Sequence, residues 1–282
     1  MYKIGISSCD KKICDELFRE YAENGISAME VSEAGYDGFD FDGVRRLAKE
    51  NNVKLWSFHL PFAPFDKIDI SSLDDNLRLS TVKALSELIK RGSDIGIDKF
   101  IIHPSAEPIP DDIRNERMLR ARESLSHLAD VCEKCGSVLC VEDLPRTCLG
   151  HSISDMQFLT AEDERLKICF DTNHITVEQP QDVIRALGKK IVTLHVSDFD
   201  FVNERHWLPG EGKIDWSSVV DALAEINYNG VWMYEIGYKC PKTIFRDRDL
   251  TAYDFRRNAD EILNRKTPTT FYAPKPNLGM WE

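Results

Sequence analysis

The sequence predicts an α/β fold, a single (β/α)8 barrel, and three observations carry that expectation. Short apolar runs rich in β-branched residues alternate with longer helical patterns, the signature of βαβ units that build a parallel sheet. Eight such pairs fit in 282 residues, close to the roughly 250 residues typical of a closed eightfold barrel. The turn after the first strand reads SSCDKK, without the Gly-rich phosphate loop that an open doubly wound sheet usually carries there.

The first strand spans 2–8 (YKIGISS), and the helix at 15–24 stops at Gly25. Glycine ends helices readily because it tolerates a left-handed backbone. The second strand is 27–32 (SAMEVS), followed by a helix at 41–52 with Asp42 as its cap candidate, a short acceptor side chain for the first free N–H groups. The third strand is 53–61 (VKLWSFHLP), and the next helix is long, 72–91. The fourth strand is 99–105 (KFIIHPS), with a helix at 111–134 ended by Gly136. The fifth strand is 137–144 (SVLCVEDL), with a helical pattern near 154–161. The sixth strand is 166–174 (LKICFDTNH), and a short helix at 180–187 has Gly188 at its end. The seventh strand is 190–198 (KIVTLHVSD), before a helix at 214–227. The eighth strand is 230–237 (GVWMYEIG), and 251–265 is the closing helix. Residues 1–266 therefore form the barrel domain. Residues 267–282, Pro-rich and carrying Phe271, Tyr272 and Trp281, form an irregular tail on this barrel or on a partner subunit.

The composition narrows the function. Hydrophobic residues make up 42% and charged residues 30%, an ordinary balance for a soluble globular chain. The net charge is −12, and basic residues cluster only in pairs such as Lys11-Lys12 and Lys189-Lys190. Nucleic acid is therefore not the expected partner, because duplex binding needs grouped cations to neutralise phosphates. The first residues show no basic segment followed by an apolar run. No stretch reaches the roughly 18 apolar residues needed to cross a bilayer. A cytoplasmic protein with no membrane partner is expected. Cys140 and Cys169 lie inside apolar runs, as buried reduced thiols do. Cys132 and Cys135 form a lone CxxC in a predicted helix, without the second pair of a structural zinc site.

Position carries the functional signal. His59 ends the third strand, His103 the fourth, Glu142 the fifth, Asp171 and His174 the sixth, His195 the seventh and Glu235 the eighth. In a barrel these ends converge on one mouth, where barrel enzymes place their chemistry. Each residue alone reads as an ordinary structural or solvated side chain; seven on one end of six strands read as one polar site. Carboxylates converging on one pocket repel one another unless a cation sits among them. A donor set of Glu142, Asp171, His195 and Glu235 suits Mn2+, Mg2+, Co2+ or Fe2+ better than a thiolate zinc site. Asp198 fits either a supporting role beside His195 or a plain cap. Trp56, Trp207 and Phe62 are candidates for a sugar-stacking wall, with core packing the alternative for Trp56.

The segments VEDLP (141–145), FDTNH (170–174), LHVSDFD (194–200), NERHWLPGEGKIDW (203–216) and YEIG (234–237) resemble, in order and strand placement, the sugar phosphate isomerase/epimerase superfamily of xylose isomerase-like TIM barrels. The resemblance implies one divalent cation, Mn2+ foremost and Zn2+ also possible, on Glu142, Asp171, His195 and Glu235. It implies that Glu142 and Glu235 double as acid–base groups, and that His174 holds substrate oxygens. His59 and His103 join that substrate-facing ring, and either Arg205 or His206 takes the place of an Arg that precedes the PG motif. The implied reaction is isomerisation or epimerisation of a ketose or related keto-sugar, by proton abstraction next to a carbonyl through a metal-stabilised enediolate. Dimers or tetramers are implied as well. Two alternatives share these residues. A lyase or hydrolase of 3-keto-glycosides would use the same deprotonation. Endonuclease IV, on the same barrel, uses a trinuclear constellation that matches His59, His103, Glu142, Asp171, His174, His195, His206 and Glu235, with Glu204 where that enzyme has an Asp.

Overall fold

The computed structural model describes residues 2–33, 35–276 and 278–279. Eight strands alternate with eight helices: β1 (Lys3–Ser7), α1 (Asp15–Glu23), β2 (Ala28–Val31), α2 (Phe41–Glu50), β3 (Lys54–His59), α3 (Asp75–Asp94), β4 (Lys99–Ile102), α4 (Asp111–Lys134), β5 (Val138–Glu142), α5 (Ile153–Thr160), β6 (Lys167–Asp171), α6 (Pro180–Leu187), β7 (Ile191–His195), α7 (Trp216–Glu225), β8 (Val231–Tyr234) and α8 (Ala252–Leu263). The strands are parallel and ordered β7-β6-β5-β4-β3-β2-β1-β8. Val196, one residue past β7, joins the two ends: its N–H donates to the Met233 carbonyl at 2.8 Å and its carbonyl accepts from the Glu235 N–H at 3.4 Å. The chain is thus a closed (β/α)8 TIM barrel, as the alternation of elements predicts. No helix among the described residues is long and apolar enough to cross a membrane.

Strand alternation explains where the polar residues go. On β5, Leu139 and Val141 face the helices and join the large core between sheet and helix layer. Cys140, between them, faces inward with Ile101 and Cys169, while Ala28, Val231 and Met233 form a second buried group with Trp56 against it. Successive side chains point to opposite faces, so the residue two places beyond each inward one is inward again. Two beyond Ala28, Ile101, Cys140, Cys169 and Met233 stand Glu30, His103, Glu142, Asp171 and Glu235. An apolar plug therefore fills the lower barrel and a polar layer caps it. Gly5 keeps the plug close-packed: a Cβ there would lie 2.7 Å from the Met233 methyl.

Some local expectations shift. Asp40, not Asp42, caps α2, accepting from the Gly43 N–H at 2.9 Å. Asp42 falls within the first turn, where it pairs with Arg45 at 2.6 Å. The third helix starts later than expected because Asp74 caps it, accepting from the Asn76 N–H at 2.9 Å. Two short strands lie outside the barrel alternation. β9 (Ile244–Arg246), between β8 and α8, pairs antiparallel with β10 (Tyr272–Pro274) of the tail. The tail thus crosses the loop after β8 of its own barrel; Trp281 lies outside the described residues.

Candidate active site

Glu142 is the hub of the polar layer. It is fully buried at the end of β5. Its Oε2 accepts from His59 Nε2 and from His103 Nε2, each at 3.1 Å, and its Oε1 faces His195 Nδ1 at 2.6 Å. Burial favours the neutral acid, but the charge of His195 and the three histidine contacts outweigh it and hold this carboxyl well below the usual range. Burial likewise works against a charged His59, yet Glu142 pushes its pKa up to about 9. The geometry agrees, since His59 Nδ1 donates to the Leu60 carbonyl at 2.9 Å while Nε2 faces the carboxylate. His103 goes the other way, lowered chiefly by burial.

His195 gathers the remaining carboxylates. Its Nδ1 lies 3.3 Å from Glu235 Oε2 and 4.0 Å from Asp171 Oδ2. Glu235 also stays ionised: burial opposes this, and His195 overcomes it. Asp171 keeps a raised pKa of about 6, mainly through burial. Ligand atoms of Glu142, Asp171, His195 and Glu235 all lie within 4.8 Å of one another. Asp171 Oδ2 is buried with no hydrogen-bond partner, which is costly in an apolar setting without a counter-charge. The donor set is mixed oxygen and nitrogen, as divalent first-row cations accept. These four residues fit a divalent ion. The sulfur of Cys169 also lies near Glu142 and His195; burial keeps the Cys169 thiol protonated.

Glu30 is a member of this site that strand ends did not reveal. Its Oε2 lies 3.0 Å from His195 Nε2 and accepts from Ser57 Oγ at 2.7 Å. With Nε2 tied to a carboxylate, Nδ1 is the nitrogen left to face the other donors, the arrangement by which carboxylates orient metal-binding histidines. A carboxylate in the middle of the apolar run SAMEVS was the available signal. Glu30→Gln keeps the shape and removes the charge. Mn2+ affinity, titrated into chelator-stripped protein, is expected to fall about 10- to 100-fold, with little change in the thermal midpoint of the ion-free protein. Unchanged affinity would mean that Glu30 does not tune His195.

A cavity of about 460 Å3 opens above this layer, lined by His59, His103, His174, His206 and Glu235 among others. His174 Nδ1 donates to the Asp143 carbonyl at 2.8 Å, and its Nε2 lies 3.4 Å from Glu204 Oε2 and 3.8 Å from Asp171 Oδ2. His206 takes a left-handed backbone, φ 49°, and its Nδ1 donates to the Glu235 carbonyl at 3.0 Å. Such strain in a non-glycine residue is typical of functional positions. Arg205 turns elsewhere: it pairs with Asp200 at 3.0 Å and donates to the Gly279 carbonyl at 2.8 Å, so His206 is the member of that pair on the cavity. Asp198 supports the PG loop rather than His195, accepting from the Gly210 and Ile214 N–H groups and from Trp216 Nε1. Of the aromatic candidates, Phe62 lines the cavity. Trp56 lies too early in β3 and packs on the lower plug, while Trp207 is buried with its Nε1 on Thr243 Oγ1 at 2.9 Å.

Residues 18–255 match the family model described as xylose isomerase-like TIM barrel. The chain is 30% identical over 247 residues to a D-psicose 3-epimerase of Agrobacterium fabrum, covering 80% of each protein. It is 24% identical over 242 residues to a 3-dehydro-D-guloside 4-epimerase of Escherichia coli, covering 77% of this chain and 89% of that one. A crystal structure of a D-tagatose 3-epimerase-like protein superposes with a TM-score of 0.79 at 22% identity, over 93% of this chain and 97% of that one, and shares the fold.

Proposed function

The chain belongs to the xylose isomerase-like TIM barrel family, and from that premise we propose that it is a sugar epimerase or isomerase acting on a ketose or keto-sugar. One observation carries this reading: Glu142 and Glu235, both held ionised by histidines, stand with Asp171 and His195 in one cation-sized cluster at the floor of the cavity. The resemblance to ketose 3-epimerases and to a keto-glycoside epimerase supports it.

Removing a proton from the carbon beside a keto group needs a base that is ionised at neutral pH and donors for the oxygen that gains charge. Glu142 and Glu235 meet the first need, and each can take or return a proton at its carboxylate. Returned to the opposite face, the proton inverts the carbon; returned to the neighbouring carbon, it isomerises the sugar. His174 and His206, on the cavity wall, orient substrate oxygens. His59 and His103, which also line the cavity, both rest on Oε2 of Glu142 and stand beside the substrate. Glu142, Asp171, His195 and Glu235 would hold one divalent cation, Mn2+ foremost, which when bound supplies Lewis acidity toward the substrate carbonyl. A dimer or tetramer belongs to the same reading.

The test is incubation of the Mn2+-loaded protein in D2O with D-psicose, D-fructose, D-tagatose and a 3-keto-glycoside. A new epimer carrying deuterium beside the keto carbon is the expected result, by NMR. Absence of both exchange and turnover across the panel would overturn the reading. The cavity volume and the two half-exposed phenylalanines on its lining, Phe62 and Phe65, favour a second reading in which a larger keto-glycoside is cleaved after the same deprotonation; released aglycone would identify it. Elemental analysis separates both from a trinuclear phosphodiesterase, since only the latter requires three ions per chain.

A further inference from the structure

The cavity lining holds an ion-pair clasp that the proposed chemistry does not use. Arg146, in the loop after β5, has a left-handed backbone with φ 55°. Its Nε and Nη2 donate to the two carboxylate oxygens of Glu107 at 2.7 and 2.6 Å. Its Nη1 donates to Glu204 Oε1 at 2.7 Å and to Asn203 Oδ1 at 2.9 Å. The clasp joins the loops that follow β4, β5 and β7. Arg146, Glu107 and Glu204 all line the cavity, together with Glu33.

Among the described lining residues, Arg146 is the one Lys or Arg. Its planar fork is committed to a bidentate pair, the strongest geometry a guanidinium makes with a carboxylate. A phosphate or carboxylate on the substrate would have to break that pair, and would then face Glu107, Glu204 and Glu33. Like charges brought together in a partly desolvated site are strongly disfavoured. Hydroxyl groups meet no such penalty, since ionised carboxylates accept hydrogen bonds from them.

Resting on the sugar reading above, we propose that the Glu107–Arg146–Glu204 clasp makes this cavity selective for uncharged sugars over their phosphate and carboxylate derivatives, with Glu107 the residue that sets the selectivity. Glu107 does so by occupying the fork of the cation that would otherwise recognise an anion.

The test is calorimetric binding to the Mn2+-loaded protein, using D-psicose, D-fructose and D-tagatose, each beside its 6-phosphate. For the sugar that binds, the 6-phosphate is expected to bind about 100-fold more weakly. Glu107→Gln removes the charged partner of the Nε/Nη2 fork, leaving Glu204 on Nη1, and should narrow that ratio by about 10-fold. Arg146→Gln removes the cation and leaves both glutamates facing the ligand, so it should widen the ratio. Two variants that move the ratio in opposite directions cannot be explained by damage to the fold, which would weaken both ligands alike. A 6-phosphate that binds as tightly as its sugar overturns this inference and leaves the epimerase reading intact. An unchanged ratio in both variants overturns the role of the clasp. Binding of no sugar and no ester overturns the epimerase reading, and this inference with it.

Discussion

Glu142→Gln is expected to lower kcat/KM on the true substrate by about 100- to 10,000-fold, the usual contribution of a positioned general acid–base group. The effect should sit at the upper end of that range, because Glu142 has contacts beyond the proposed proton exchange. His59, His103 and His195 all rest on its two oxygens. An amide in its place offers one acceptor oxygen where there were two, and no charge to hold His59 protonated. Cation binding should weaken in the same variant, since one of four donors becomes neutral. Glu235→Gln should cost a comparable factor in turnover with less disturbance around it, because Glu235 is partly exposed and meets His195 at 3.3 Å rather than anchoring three rings. The pair is read from initial rates and from deuterium incorporation measured separately. If both variants retained full activity, the two-base scheme would be wrong.

Removal of the cation is the second large effect. Stripping the protein with a chelator should abolish epimerisation, and Mn2+ added back should restore it, with one ion bound per chain. The ion-free protein should stay folded, because the core between sheet and helices and the backbone closure at Val196 do not use the side chains of the four candidate ligands. Its midpoint of thermal unfolding should nevertheless fall. Binding to the native state alone adds about 4 kcal/mol when the free ion is about 1,000 times its Kd, several degrees for a domain of this size. Loss of activity with no recovery on adding Mn2+, Mg2+, Co2+, Fe2+ or Zn2+ would show that chelation acted on something other than this site.

Much of this was legible in the chain, for reasons that can be named. Strand ends can be located because each barrel strand is a short apolar run, so Glu142, Asp171, His195 and Glu235 fall at one mouth on the sequence alone. Glu30 escaped because it falls within its run rather than at the end, and only the closed barrel, which turns β2 and β7 toward one interior, shows that it reaches His195. Arg205 and His206 could not be told apart because they are neighbours in a loop, and a left-handed turn at His206 decides which one faces the cavity. Residue type alone leaves Trp56 open between a sugar-stacking wall and the core; three residues before His59, it belongs to the lower plug. The pairing of β9 with β10 escaped because two strands of three residues, separated by a helix, leave no periodic signal.

The route of the tail matters for anyone who labels this protein. β1 enters the barrel at the end opposite the mouth, whereas the tail pairs with the loop after β8 and reaches Arg205 through the Gly279 carbonyl. Arg205 stands between Glu204 and His206, both on the cavity. Positions near Lys3 and near Gly279 are therefore unequal attachment points. A surface linkage belongs near Lys3, away from the chemistry. A dye near Gly279 would instead serve as a reporter beside the mouth, sensitive to what enters it.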